Sequence, residues 1–362
     1  MESNWDSVLR SPPEGGVSPY SGLDATAYWR TGVTERSPLD PGDIYKPRFR
    51  ISRAQKIMTA GSCFAQHVGR TLRQNGFDVI DEEPLPTDIS DEIAKAQGYR
   101  LYSARYGNIY TARQLDQLLA EAYGEFKPAY PVWEKKGQYY DAQRPGIEPF
   151  GQDSPEVVLK LRESHLTAIR RSVEKADIFV FTFGLTEAWI HSPSQTVYPT
   201  APGTIAGSYD PKEFSFANYG VMKVVDDFSR ARKRLKRINP KMRFLMTVSP
   251  VPLTATASGL HVEVATAYSK ATLRSACGKL YQMFPDTDYF PSYEIITSQR
   301  AHGAFYMPNL REVSDSGVQT AMSTFIKAHG ITSSDATRPR IGKKADRDKV
   351  QCEDVLLEAF TK

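Results

Sequence analysis

Two residues that can act as nucleophiles, Ser62 and Cys63, follow an apolar run and precede a helical pattern. The run Ile57–Ala60 has the composition of a buried strand, and Gly61 permits a sharp turn behind it. Apolar residues then recur at helical spacing over residues 64–77. A strand, a tight turn and a helix present an Oγ or Sγ atom at a helix N-terminus, where backbone dipoles favour an oxyanion. The pattern predicts covalent catalysis, against the alternative of a plain turn with an inert, buried cysteine.

The three cysteines and the charge balance indicate which ligands and partners the protein is expected to lack. Cys63, Cys277 and Cys352 have neither metal-ligand spacing nor a disulfide framework, so we expect no metal, no cofactor and a reducing, cytoplasmic location. The net charge is only +4, from 46 Lys and Arg against 42 Asp and Glu. The basic cluster Arg230–Arg237 stands near the end of a predicted helix, where cations complement the dipole. We therefore expect no nucleic-acid partner.

No apolar run approaches the length that spans a membrane, and residues 1–16 lack the apolar core of a signal peptide. The sequence therefore predicts a protein without a membrane span.

The organisation of the chain follows from its periodicity and composition. With 362 residues, 40% hydrophobic and 24% charged, it has the composition of an ordinary globular protein. Apolar runs such as Asp177–Phe183 alternate with long helical patterns, which predicts an α/β fold with a doubly wound, mainly parallel sheet. We expect an N-terminal arm over residues 1–50, one domain over 51–330 and a C-terminal tail over 331–362.

An insertion near residues 126–153 is rich in proline and aromatic residues. We expect it to hold one hairpin around Lys136-Gly137. It would act either as an aromatic lid over a substrate or as a surface flap with its own small cluster.

Ligand sites of open α/β sheets lie beyond the carboxyl ends of the strands. The turns that matter are therefore those after the predicted strands: Gly61–Phe64, Gly184–Trp189, Ser249–His261 and Ser292–Gly303.

Four segments resemble a known family. They are GSCFA at Gly61–Ala65, FTFGLTEAW at Phe181–Trp189, TVSPVPLTATA at Thr247–Ala257 and YFPSYEI at Tyr289–Ile295. Together they resemble the GSCFA family, which is similar to the SGNH hydrolases, over roughly residues 20–330. The resemblance implies an SGNH-hydrolase-like three-layer α/β/α fold and an esterase-type hydrolase. Its substrate would be a small-molecule or glycan ester, with carbohydrate O-acyl groups favoured.

Two alternatives stay open beside the esterase. One is an acyltransferase on the same fold, with the aromatic insertion keeping water from the acyl-enzyme. The other is a glycan-binding or scaffold protein that keeps the pocket without catalysis.

The resemblance also assigns the nucleophile. SGNH enzymes carry Gly-Asp-Ser followed by Leu or Phe at this turn. Without a gap, Cys63 takes the nucleophile position and Ser62 the Asp position; with a gap, Ser62 would attack. We favour Cys63, because the strand before Gly61 then keeps its usual length.

The oxyanion hole of the SGNH enzymes combines a glycine with an asparagine from a Gly-x-Asn-Asp block. Gly107, with Asn108 beside it, resembles the glycine position. Gly184 opens the counterpart of the asparagine block, in which Thr186 replaces Asn and Glu187 replaces Asp. The resemblance implies that the Thr186 hydroxyl donates to the oxyanion, while the alternative role of Thr186 is a helix cap.

The catalytic base departs most from the family pattern. Where SGNH enzymes carry Asp-x-x-His before the last helix, this chain has Asn309 and Glu312. We rank His261 first as the base, from its place after the strand ending at Val248, with His302 and Glu312 behind it.

The orienting partner of His261 would be Glu294 or Glu187. A His261 ring that points to solvent, with no other histidine or carboxylate reaching the turn, would lead us to abandon the hydrolase for the binding alternative.

Overall fold

The computed structural model describes residues 18–86, 89–331, 357, 358 and 360. Residues 1–17 of the predicted arm and residues 332–356, 359, 361 and 362 of the predicted tail lie outside the described residues.

The chain forms ten strands and eight α-helices within these ranges. The strands are β1 (Lys56–Gly61), β2 (Asp78–Val79), β3 (Val132–Lys135), β4 (Gln138–Asp141), β5 (Ile178–Phe183), β6 (Glu187–His191), β7 (Thr196–Tyr198), β8 (Phe214–Asn218), β9 (Arg243–Val248) and β10 (Thr287–Tyr289). The helices are α1 (Phe64–Gln74), α2 (Asp91–Ala96), α3 (Ala112–Ala122), α4 (Pro155–Lys175), α5 (Val221–Ile238), α6 (Val262–Met283), α7 (Ser292–Thr297) and α8 (Asp315–Ala328).

Five parallel strands form the central sheet in the order β10-β9-β5-β1-β2. One face carries an apolar cluster shared with α3, α4, α5 and α6, and the other a cluster shared with α1, α7 and α8. Because both faces are covered, β5 is buried along its whole length. The predicted α/β fold, a three-layer α/β/α arrangement, is confirmed.

The strand order reverses between β1 and β5, which lie side by side. From β1 the chain crosses to β2 at one edge through α1, whereas from β5 it proceeds to β9 and β10 at the other edge. Such a switch point leaves a crevice beyond the strand ends, where open α/β sheets bind ligands. The turn after β1 and the turn after β5 therefore share the favoured position.

Two smaller sheets accompany the central one. Strands β3 and β4 form an antiparallel hairpin whose turn, Lys136-Gly137, has positive φ at both residues. The predicted hairpin is confirmed. Strands β7, β6 and β8 form an antiparallel sheet after the carboxyl end of β5.

The insertion builds its own apolar cluster rather than joining the main core. Trp133 and Tyr140 of the hairpin pack with Tyr198 and Phe214 of the three-stranded sheet. The segment thus has a small cluster of its own, and its role as a lid or as a surface flap stays a prediction.

The described part of the predicted arm is tied to the domain. The Tyr45 hydroxyl and the Arg48 backbone N–H both donate to Asp288 Oδ2 at 2.9 Å.

In the described part of the chain, no helix combines the length and the apolar character needed to cross a bilayer.

The last residue of β1 requires glycine. Gly61 has φ +135°, and a Cβ placed on it would lie 2.4 Å from the Thr182 carbonyl oxygen and 2.7 Å from the Thr182 nitrogen. No side chain fits there, because both obstacles belong to the backbone of the neighbouring strand.

We predict that Gly61→Ala lowers the free energy of unfolding by about 3–4 kcal/mol, the sum of backbone strain and overpacking. Gly259→Ala is the matched control, since Gly259 also has positive φ, +78°, but no atom of the described residues lies within 4 Å of its added Cβ. Urea unfolding of both variants measures the difference. Equal losses would show that the close approach of β1 and β5 carries no cost.

Candidate active site

The turn after β1 places Cys63 at the start of α1, and Ser62 lies directly after β1 and beside β5. Cys63 is the N-cap residue of α1, and both Ser62 and Cys63 are buried. The Ser62 backbone N–H donates to the Thr182 carbonyl at 3.1 Å, and its own carbonyl accepts from Ala65 N–H at 2.8 Å. The turn is thus fixed to β5 on one side and to α1 on the other.

Gly184, directly after β5, packs against Ser62. A Cβ on Gly184 would lie 2.6 Å from Ser62 Cβ and 3.3 Å from Ser62 Oγ. The Ser62 hydroxyl is buried, and no described residue forms a hydrogen bond with it.

The segment that contains Gly107 and Asn108 lies beside the same turn. Ile109 N–H donates to the Gly61 carbonyl at 2.9 Å. The Tyr110 carbonyl accepts from the N–H groups of Gly184 and Leu185 at 3.1 and 3.0 Å. The residues that follow Gly107 and Asn108 are therefore hydrogen-bonded to both of the other predicted glycine turns, and the Gly184 N–H is already engaged.

Asn108 belongs to a buried network under the turn. The Tyr102 hydroxyl lies 2.5 Å from Asn108 Oδ1 and 3.3 Å from the Ser62 carbonyl, so its proton goes to Asn108. Gln66 Nε2 on α1 donates to the same Asn108 oxygen at 3.4 Å. The sequence did not indicate Tyr102 or Gln66, since neither belongs to a motif.

Two backbone donors at the start of α1 stay available. No described residue accepts a hydrogen bond from the backbone N–H of Cys63 or Phe64. The first N–H groups of a helix have no partner inside it, so they attract an anion or a developing negative charge. This is the best oxyanion-binding position that the turn offers.

Helix α6 holds the turn after β5 in place. The Ser269 hydroxyl accepts from Thr186 N–H at 3.1 Å, and Lys270 Nζ donates to the Gly184 carbonyl at 2.7 Å. Both side chains are buried, and a lysine on a predicted buried helix face was the signal that could have revealed this contact. The Thr186 hydroxyl donates to Asn218 Oδ1 at 2.7 Å, so the donor expected at the oxyanion is engaged elsewhere.

His261 is not brought to the turn. It is the N-cap residue of α6, its exposed ring accepts from Glu263 N–H through Nδ1 at 3.2 Å, and it forms no hydrogen bond with Ser62 or Cys63. The expected base role therefore receives no support, because the ring nitrogen nearest the helix satisfies a helix N–H instead.

Glu312 also lies apart from the turn. It is exposed in a loop closed by Asn309, whose Oδ1 accepts from the N–H groups of Arg311 and Glu312 at 3.1 and 3.0 Å. Asn309 therefore builds a turn, and neither residue hydrogen-bonds to Ser62 or Cys63.

The two glutamates expected to orient His261 have other partners. Glu294 forms an ion pair with Arg274 and accepts from the Tyr289 hydroxyl at 2.9 Å. Glu187 accepts from the Thr256 hydroxyl at 2.6 Å, and burial raises the pKa of this carboxyl.

A cavity opens next to Gly184, beyond the ends of β5 and β9. Leu185, Glu187 and Trp189 line it on one side and residues 253–257 on the other, and Leu357 of the C-terminal segment reaches it. Among the residues with described positions, no group of three His, Cys, Asp or Glu side chains is arranged to hold a metal ion.

His67 stands on the first helix turn after Cys63, four residues along. Burial, with the neighbouring Arg70 cation, lowers the pKa of His67 to about 4. The ring is therefore neutral at pH 7.

Comparison with models of protein families gives a match. Residues 56–325 match the model of the GSCFA family. Comparison with curated proteins gives no match.

We predict that Ser269→Ala lowers the free energy of unfolding by about 1–3 kcal/mol, because it leaves the buried Thr186 N–H without an acceptor. Ser275→Ala, an exposed position on the same helix, is the control and stays within about 0.5 kcal/mol of the parent. Denaturant titration distinguishes them. Equal losses in the two variants would show that the hydrogen bond between Thr186 and Ser269 does not stabilise the site.

We predict that the folded protein loses stability as the pH falls from 6.5 towards 4, with His67 contributing about one proton. The unfolded chain binds this proton near pH 6.5, the ordinary histidine value, whereas the folded chain binds it only near pH 4. In this window the unfolded state carries more protons, so acid favours unfolding. His67→Gln flattens the dependence of unfolding free energy on pH. An unchanged slope in His67→Gln would contradict the assignment.

Proposed function

This chain belongs to the GSCFA family, and from that premise we propose that it cleaves acyl esters with Cys63 as the nucleophile. The observation that carries the proposal is the position of Cys63. It caps α1 at the switch point of the sheet, next to two backbone N–H groups without partners. The proposal includes an SGNH-like relationship for the fold and a cytoplasmic setting, in which a nucleophilic thiol stays reduced.

The surroundings of the turn favour the thiol over the hydroxyl. A serine hydroxyl attacks only with a base that accepts its proton, and no described histidine or carboxylate forms a hydrogen bond with Ser62. A cysteine thiol is intrinsically more nucleophilic than a serine hydroxyl and depends less on such a base. Ser62 then acts as the turn residue that anchors Cys63 to β5.

The proposed reaction has two steps. The Cys63 thiolate attacks the ester carbonyl, and the negative charge on the carbonyl oxygen is stabilised by the N–H groups of Cys63 and Phe64. The C–O bond breaks, the leaving alkoxide takes a proton from solvent, and the acyl group remains as a thioester. Water then adds to the thioester carbonyl, releasing the carboxylic acid and the free thiol.

The substrate class that we propose is a carbohydrate O-acyl ester. Transfer of the acyl group to an acceptor other than water is the variant of this proposal that uses the same thioester.

A non-catalytic binding role is the second candidate, and the placement of His261 favours it. His261 is exposed and caps α6, and no other described histidine or carboxylate hydrogen-bonds to Ser62 or Cys63. In that case the cavity beside Gly184 would bind ligand while the turn serves only to shape it.

We predict that p-nitrophenyl acetate leaves one acetyl group on Cys63, detected by intact mass and peptide mapping. Cys63→Ala abolishes the adduct and lowers the rate of p-nitrophenol release at least 100-fold, as expected for loss of a nucleophile. Cys63→Ser also loses most of the rate, because the hydroxyl lacks a base.

Two controls make the result specific. Cys277→Ala retains labelling, because Cys277 is buried in the apolar cluster around α6, where desolvation raises the pKa of its thiol. Ser62→Ala retains it too, since the serine is proposed to act through its backbone. Labelling that survives in Cys63→Ala and disappears in Ser62→Ala would assign the attack to serine. Absence of any adduct on the folded parent would favour the binding role.

A further inference from the structure

The cavity beside Gly184 is large enough for an organic ligand. Its volume of about 190 Å³ is more than ten times the ~10–15 Å³ that a single buried water needs. It lies between the three-stranded sheet and residues 253–257 after β9, so two chain segments that follow the central strands form its walls.

One wall is an aromatic surface with a carboxyl group at its end. Glu187 and Trp189 are two residues apart on β6 and therefore project from the same face of the small sheet. Phe216 of β8 is the partner of Trp189 in the register, with ring centroids 5.8 Å apart. Tyr209 holds the Trp189 ring from its edge at 5.3 Å. The three rings therefore fix one another, and both Trp189 and Phe216 line the cavity.

The remaining walls carry hydroxyl groups without partners. Thr200 is only 6% exposed, it lines the cavity, and no described residue hydrogen-bonds to its Oγ1. Thr254 Oγ1, on the opposite wall, is buried and unpartnered in the same way. Buried hydroxyls are normally satisfied, so these two, which both belong to residues of the cavity lining, are free to exchange hydrogen bonds with a ligand.

The charge in the cavity selects against anions. Glu187 is held by the Thr256 hydroxyl, and none of the described residues that line the cavity is a lysine or arginine. Burial raises the pKa of Glu187, which fits a carboxyl that faces neutral hydroxyl groups rather than a cation.

We propose that this cavity binds one neutral pyranose ring, stacked on Trp189 and hydrogen-bonded by Thr200, Thr254 and Glu187. A sugar ring has an apolar C–H face for the aromatic surface and hydroxyl groups for the three oxygen-bearing side chains. An alkyl chain would cover the aromatic surface but leave Thr200 and Thr254 without partners. Only the catalytic role of this sugar site rests on the proposed function, in which the bound sugar carries the ester that Cys63 attacks.

The test is direct binding to the full chain carrying Cys63→Ala, so that no turnover occurs. Methyl glycosides of glucose, galactose, mannose and N-acetylglucosamine are titrated by calorimetry, with sodium octanoate and glucuronate as competing chemistries. At least one neutral glycoside binds, and octanoate and glucuronate bind at least tenfold more weakly. Trp189→Ala weakens glycoside binding at least tenfold, and Thr200→Val, of nearly equal shape, weakens it about tenfold through the lost hydrogen bonds.

Thr297→Val, an exposed hydroxyl on α7, is the matched control and leaves the affinity unchanged. Trp189→Phe retains part of the affinity, which separates loss of stacking from loss of folding in Trp189→Ala. Binding of octanoate in preference to every glycoside, or no glycoside binding by a folded protein, overturns the assignment. The acetylation of Cys63 is measured separately, so glycoside binding without acetylation would reject the esterase proposal and keep the sugar site.

Discussion

The close approach of two backbones, Gly61 at the end of β1 and Thr182 in β5, is the constraint on which the rest of the site depends. Thr182 accepts the Ser62 N–H at 3.1 Å, and its backbone occupies the space that a side chain on Gly61 would need. Because these strands meet where the sheet order reverses, the approach fixes the first residues of α1 at the crevice. Cys63 is presented there by backbone geometry alone.

Hydrogen bonds to backbone groups support this junction more than ion pairs do. Ile109 binds the Gly61 carbonyl, Tyr110 accepts from Gly184, and Ser269 accepts from Thr186. Each of these groups is buried or nearly so, and leaving one unpaired costs about 1–3 kcal/mol. The arrangement therefore resists movement, whereas the ion pairs of α5, such as Arg230 with Asp116, join α5 to α3 and not to the turn.

The turn and the cavity divide the proposed chemistry between them. The turn supplies a thiol and two backbone donors but, among the described residues, no hydrogen-bonded base. The cavity supplies an aromatic face and hydroxyl groups but, in its described lining, no cation and no cysteine. Gly184 and Leu185 connect them, because Gly184 touches Ser62 while Leu185 lines the cavity. A substrate that stacks on Trp189 would therefore extend towards the turn along this loop.

By itself, the sequence determined the features that depend on neighbouring residues. These are the strand, turn and helix around Cys63, the alternation of strands and helices that makes a parallel sheet, and the hairpin at Lys136-Gly137. Each depends on hydrophobic periodicity or turn residues within a few positions, so it can be predicted from a short stretch of sequence. Only the tertiary structure decided which distant groups converge, such as Ser269 on Thr186 and Lys270 on Gly184. It also gave His261 a capping role instead of a place at the turn. Such contacts depend on side-chain direction and on sheet order, which a single pattern along the chain does not encode.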